Sequence, residues 1–308
     1  MSLLLGVGLA CGIIDACRIS GLSKIMLTHP NFDPVAVSLG PISVHWYGLM
    51  YLLAFASAWL LARRRAGFDH TPIDRKDIDD LIFYGALGVV LGGRFGYVLF
   101  YNFDKFLADP LWLFKVWEGG MSFHGGFLGV MIAMMLYGRR LNLRAGQILD
   151  FVVPIVPLGL GFGRIGNFIG QELWGRQADP ATVPWAMIFP ADPSGLTRHP
   201  SQLYQAGLEG LLLFLIVYSF SRRARPEWSV SGVFMVGYGC FRFIVEFFRQ
   251  PDGHIGFDAF GWLTRGQLLS LPMIVAGLLL IVYAYRRGSD QPAITAKTKT
   301  SKKNKRKK

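Results

Sequence analysis

A glycine-rich stretch from Gly159 to Gly175 carries a cation, an amide and a carboxylate at Arg164, Asn167 and Glu172, and it closes an apolar run that begins near Ile148. A charged side chain at bilayer depth costs about 2.5 to 3.5 kcal/mol on insertion scales, so Arg164 needs a partner or a role. Other polar groups stand in similar surroundings: Arg94 in Leu91-Gly-Gly-Arg-Phe-Gly96, His124 in Gly120-Met-Ser-Phe-His-Gly-Gly126, and Arg242, Glu246 and Arg249 near the end of another apolar run. Arg242 and Glu246 are four apart and pair on a helix, whereas Arg164 and Arg94 have no such local partner in the sequence. Guanidinium groups offer a planar fork to phosphate oxygens and stay charged, which suits a phosphate-bearing lipid. An imidazole between glycines moves a proton near neutral pH, the role expected of His124. The chain has no G-x-S-x-G elbow and no H-E-x-x-H metal motif, so the attacking group is expected from a second substrate, with no metal or other cofactor.

Gly161, Gly163 and Gly166 spell the dinucleotide fingerprint G-x-G-x-x-G, but its strand-turn-helix context is missing. Pro154 and Pro157 precede the glycines and a Trp-Gly turn follows them. Two readings stay open for these glycines. Gly159 and Gly163 form a small-x-x-x-small pair suited to close helix packing, or the stretch brings backbone N–H groups to an anionic headgroup.

The elements that must position these groups are membrane helices. The 308 residues are 52% hydrophobic and only 17% charged, the balance of an all-α integral membrane protein. Seven apolar segments follow one another: 44–62, 81–101, 121–137, 148–168, 203–220, 230–248 and 267–285. Each is near the roughly 20 residues that a helix needs to cross the hydrocarbon core. The net charge of +12 sits in short clusters between segments, which argues for topology and against nucleic acid. Arg63 to Arg65 with Arg75 and Lys76, then Arg139, Arg140 and Arg144, then Arg222, Arg223 and Arg225, and last Arg286 and Arg287 fall in alternate connections. The positive-inside rule therefore predicts seven transmembrane helices with the N-terminus periplasmic and the C-terminus cytoplasmic.

Residues 1–25 carry an apolar run too short to span, read as a peripheral extension or as a stretch ahead of a true start at Met26. Residues 26–288 form the transmembrane domain. A Pro- and Trp-rich connection, 170–201, predicts a periplasmic flap or arm between helices four and five, and a second external connection runs from Gln250 to Arg265. The Lys-rich tail, 289–308, reads as disordered and drawn to anionic lipid. Cys11, Cys17 and Cys240 make neither a disulfide framework nor a metal pair.

The chain resembles the bacterial phosphatidylglycerol:prolipoprotein diacylglyceryl transferases. The resemblance rests on His45-Trp-Tyr-Gly-Leu-Met-Tyr51, Gly92-Gly-Arg-Phe-Gly-Tyr97, Gly119-Gly-Met-Ser-Phe-His-Gly-Gly126, Gly163-Arg-Ile-Gly-Asn-Phe168, Glu172-Leu-Trp-Gly-Arg176, Arg198-His-Pro-Ser-Gln-Leu-Tyr204 and the run from Tyr238 to Pro251. It implies an inner-membrane, multi-pass enzyme that moves the diacylglyceryl group of phosphatidylglycerol to the lipobox cysteine of a prolipoprotein signal peptide, forming a thioether and releasing glycerol phosphate. Its partners would be that lipid, that peptide and the surrounding membrane lipids. By position, His124, Arg164 and Arg242 match the family's catalytic residues, and Tyr47, Asn167, Glu172, Tyr238 and Glu246 match others around its lipid site. Arg94 joins them as an expected phosphatidylglycerol contact. The chain departs from the family pattern at residues 1–25, at Gly170-Gln171, and at Gln205, where a Glu is frequent. The rival readings are a lipid transporter, which would leave phosphatidylglycerol intact, a membrane scaffold indifferent to Arg164, and a transferase for another headgroup.

Overall fold

The computed structural model describes residues 26–39, 42–251 and 263–288. The readings made for the 1–25 extension, for most of the second external connection and for the 289–308 tail lie outside the described residues.

Helices occupy every one of the apolar segments. A short antiparallel hairpin, β2 (Val35–Leu39) and β3 (Ile42–His45), leads directly into α1 (Trp46–Arg65). Then come α2 (Ile78–Tyr101), the short α3 (Phe103–Ala108) and α4 (Phe123–Arg140). The fourth segment is two helices, α5 (Ala145–Val152) and α6 (Val156–Ile169), joined by a tighter turn at Val153–Ile155. Pro154 and Pro157 cause the break, because each removes a backbone donor from the helical ladder. The fifth segment is α7 (Ser201–Gln205), a wide π-helical stretch over Ala206–Leu212, and α8 (Leu213–Phe220). α9 (Ser229–Glu246) and α10 (Arg265–Arg287) complete the chain, the latter opened by a reciprocal Thr264–Gln267 cap.

Among the described residues, five helical rods are long and apolar enough to cross a membrane: Arg75–Tyr101, Ala145–Ile169, Ser201–Phe220, Ser229–Glu246 and Arg265–Arg287. α1 and α4 are less apolar, because Trp, Tyr and three arginines dilute the first and glycines with Arg139 and Arg140 dilute the second.

Glycine sets the closest helix contacts. A Cβ at Gly92 would lie 2.3 Å from the Gly125 carbonyl oxygen, and one at Gly129 would lie 2.1 Å from that of Gly88, so α2 and α4 meet backbone to backbone. The glycine-rich stretch on α6 uses a different pair from the Gly159 and Gly163 expected. A Cβ on Gly210 would sit 2.7 Å from Cα of Gly161, while Gly163 faces open space and Gly159 only touches Ala54 at an ordinary 3.7 Å. Choosing the pair by spacing alone failed because the partner helix, with its π turn, decides which glycine faces it.

The basic clusters gather at one end of the bundle. Arg63 pairs with Asp79 at 3.6 Å, Arg144 pairs with Glu227 at 2.7 Å, and buried Arg65 donates to the Ser221 hydroxyl and to the carbonyls of Asp150 and Phe151. There Asp150 accepts from the backbone N–H groups of Trp228 and Ser231, holding α5 to the start of α9. Between Gly170 and Pro200 the chain is non-helical, and a three-stranded sheet ties β1 (Leu27–Thr28) to β4 (Met187–Ile188) and β5 (Thr197–Arg198).

Candidate active site

Three helices bring their polar residues to one place. On α9, Tyr238, Arg242 and Glu246 recur at helical spacing and so share a face. Arg242 Nη2 and Glu246 Oε2 form an ion pair at 2.9 Å, the pair that the four-residue spacing predicts. Its Nη1 reaches Gln205 Oε1 at 3.1 Å and lies 3.6 Å from Glu209 Oε1, both on the helix that begins with α7. Glu246 also meets Arg249 Nη1 at 3.4 Å, so one buried carboxylate serves two arginines. Arg176 of the arm donates to the carbonyl oxygens of Arg249 and Glu246, which fastens the arm to the end of α9.

On α6, Arg164 donates to Asn167 Oδ1 at 3.4 Å, and Asn167 Nδ2 donates to Glu172 Oε2 at 3.2 Å. Gln202 Nε2 in turn donates to the Glu172 carbonyl at 2.7 Å, linking the end of α6 to α7. The electrostatic neighbours of Arg164 are Glu209, Arg242, Tyr238 and Arg249, so the two arginines singled out in the sequence belong to one charged cluster. Tyr47 of α1 packs its ring on Gly166, where a Cβ would lie 3.2 Å from it, and faces Arg164 and Glu172 electrostatically. Glu209 is 1% exposed and Glu246 2%, and the Arg242 side chain keeps 15%. Guanidinium groups from α6 and α9 with little water around them are strong anion hosts.

Arg94 is a correction. Each of its five N–H donors has a backbone acceptor: Nε on Leu113, Nη1 on Gly119 and Gly120, and Nη2 on Trp112 and Lys115. Its guanidinium also stacks 4.5 Å from the Trp112 ring centroid. Arg94 therefore does have local partners, supplied by the loop after α3, and no donor is left for a lipid phosphate. Such carbonyls cannot be seen in a sequence pattern of side chains.

His124 stands apart from the arginines. It lies in the first turn of α4, exposed, with its ring against Phe123 at 5.7 Å between centroids. Among the described residues no hydrogen bond, ion pair or ring contact joins it to the Arg164–Arg242 cluster. A second imidazole, His199, is built into the arm: its backbone exchanges hydrogen bonds with Gly175 and Arg176, and its Nδ1 is 3.1 Å from the Tyr204 hydroxyl. Trp185 donates to that hydroxyl at 2.6 Å, leaving the tyrosine proton to point at His199. Burial pulls the His199 pKa below its usual value, so its ring is neutral at pH 7.

Glu209 was missed by the sequence reading, although a Glu inside the apolar segment 203–220 is as conspicuous as Arg164 by the same insertion argument.

The profile of the family described as prolipoprotein diacylglyceryl transferase matches residues 34–283. A phosphatidylglycerol–prolipoprotein diacylglyceryl transferase of Teredinibacter turnerae is 60% identical over 271 residues, covering 85% of this chain and 93% of that protein. A protein of the same name from Acinetobacter baylyi is 61% identical over 262 residues, covering 85% of this chain and 96% of its own length.

Proposed function

The chain belongs to the prolipoprotein diacylglyceryl transferase family, and from that premise we propose that the cluster on α6, α7 and α9 is where phosphatidylglycerol gives up its diacylglyceryl group to a prolipoprotein. The observation that carries this reading is the gathering of Glu209 and Glu246 within ion-pair distance of Arg242, with Arg164 facing Glu209 and Arg242 electrostatically.

The sulfur of the lipobox cysteine attacks the glycerol carbon that bears the phosphate ester. A C–S bond forms, the C–O bond breaks, and glycerol phosphate leaves with the bonding electrons. Negative charge grows on the phosphate side, where a positioned donor in a dry site contributes about 2.7 to 4 kcal/mol. Arg164 and Arg242 supply those donors. Asn167 and Glu172 orient Arg164, Tyr238 and Glu246 flank Arg242, and Tyr47 closes the side toward α1. His124 takes the thiol proton on the acceptor side, a role supported by an exposed ring at the start of α4 with no hydrogen bond among the described residues.

The protein is a multi-pass membrane enzyme, and we place it in the bacterial inner membrane with seven crossings. The basic end of the bundle is cytoplasmic, and the arm, 170–201, and the arginine cluster face the periplasm. The gathering of Arg63, Arg65 and Arg144 at one end supports that orientation. Residues 26–288 then form the catalytic domain, with the 1–25 extension and the basic 289–308 tail outside it.

Purified protein incubated with phosphatidylglycerol and a lipobox peptide should yield a peptide heavier by one diacylglyceryl group. Recovery of unmodified peptide with intact lipid would refute the assignment. His124→Ala is expected to abolish transfer, and normal turnover by that variant would remove His124 from the mechanism.

A further inference from the structure

Glu209 has no part in the mechanism just described, yet its surroundings are unusual. It sits in the π-helical stretch 206–212, a distortion that recurs at functional sites, and its side chain is 1% exposed. Among the described residues its Oε1 has no hydrogen-bond partner, and its ion pair to Arg242 is held at 3.6 Å, beyond hydrogen-bonding distance. Arg242 is its strongest electrostatic partner and Arg164 the next. Glu246, the other buried acid, divides its oxygens between Arg242 and Arg249. Among the described residues, the Arg164 side chain hydrogen-bonds only with Asn167, at a long 3.4 Å.

We propose that Glu209 is a positioning residue: the shared counter-anion that sets where the guanidinium forks of Arg164 and Arg242 point, so that both meet one phosphate. The inference rests on the reading of those arginines as the phosphate site. Two like charges in a dry cluster repel unless an anion stands between them. Glu209 lies 3.6 Å from Arg242 and faces Arg164 electrostatically without binding either fork bidentately, so both keep donors for a substrate. Gln205 stabilises the arrangement from one side, giving its Oε1 to the same Nη1 that faces Glu209.

Removing the charge at Glu209 should therefore misdirect the forks without weakening attraction for an anion. In full-length enzyme reconstituted with phosphatidylglycerol and a lipobox peptide, Glu209→Gln is expected to lower kcat about 100-fold, the effect of roughly 1 Å of misplacement. Its KM for phosphatidylglycerol should be unchanged or lower. Adding Gln205→Glu to that variant returns a carboxylate to the same Nη1 and should restore part of kcat. Glu209→Asp, which keeps the charge on a shorter stem, should fall between wild type and Glu209→Gln. If Glu209→Gln fails to fold, the Asp variant and the double variant carry the test. A raised KM at unchanged kcat would overturn the proposal by making Glu209 a headgroup contact. Loss of folded protein with normal turnover per folded molecule would overturn it by making the residue structural. Failure of the wild-type enzyme to transfer would defeat the function itself, whereas wild-type turnover with unaffected Glu209 and Gln205 variants would defeat this inference alone.

Discussion

Arg94→Lys separates an arginine that holds the fold from one that holds substrate. The guanidinium has five N–H groups, and five carbonyl oxygens between Trp112 and Gly120 take them. A lysine ammonium keeps the charge but offers three donors, so at least two carbonyls lose their partner. Each buried polar group left unsatisfied costs about 1 to 3 kcal/mol. Only the bond to Trp112 is fully buried, and water reaches the other carbonyls in part, which puts the loss at about 2 to 4 kcal/mol. For a membrane protein studied in mild detergent this reads as a lower melting temperature. Hydrogen exchange should quicken across residues 102–120, where the loop no longer has its central clasp. Transfer per folded molecule should stay within about threefold of wild type. The reasoning fails if Arg94→Lys melts like the parent while its KM for phosphatidylglycerol climbs tenfold or more, because Arg94 would then be a lipid contact after all.

Arg242→Lys, by contrast, should cut kcat per folded molecule by about 100- to 1,000-fold, measured in the same transfer assay, because one ammonium cannot replace a fork aimed at a developing phosphate. Gly125→Ala should cost about 1 to 3 kcal/mol in detergent unfolding, since the new methyl would lie 2.3 Å from the Gly92 carbonyl oxygen. In the arm, burial works to raise the Asp192 pKa, but hydrogen bonds from Arg198 and Ser194 win and hold it below the ordinary carboxylate value. A depressed folded-state pKa stabilises the arm above the unfolded pKa of about 3.9 and loses that contribution as pH falls through the folded value. Hydrogen exchange across 176–198 should thus be steady in its pH-corrected rate from neutrality to about pH 5 and accelerate below pH 4, and Asp192→Asn should abolish that transition.

Much of this arrangement was legible before any coordinates. Hydropathy located the helices, because a bilayer demands long apolar runs. The Arg242–Glu246 pair followed from helical spacing, and the insertion cost of an isolated charge drew attention to Arg164, which joins the charged cluster. What escaped were contacts between distant parts of the chain. The five carbonyls around Arg94 carry no side-chain signature, and the choice of Gly161 over Gly159 depends on Gly210, far along the sequence. The split of the fourth segment was foreshadowed by Pro154 and Pro157 but read as one run. His124 shows the same limit, because position along a helix axis says nothing about which neighbour a side chain faces.

The α2–α4 seam has a consequence for traffic. With the Gly88, Gly92, Gly125 and Gly129 backbones in contact, the gap between these helices is narrower than a single acyl chain, and there are no side chains to swing aside. A two-tailed lipid sliding in from the bilayer finds this wall shut along those turns. A route from the bilayer to the proposed arginine site would open between other pairs of helices.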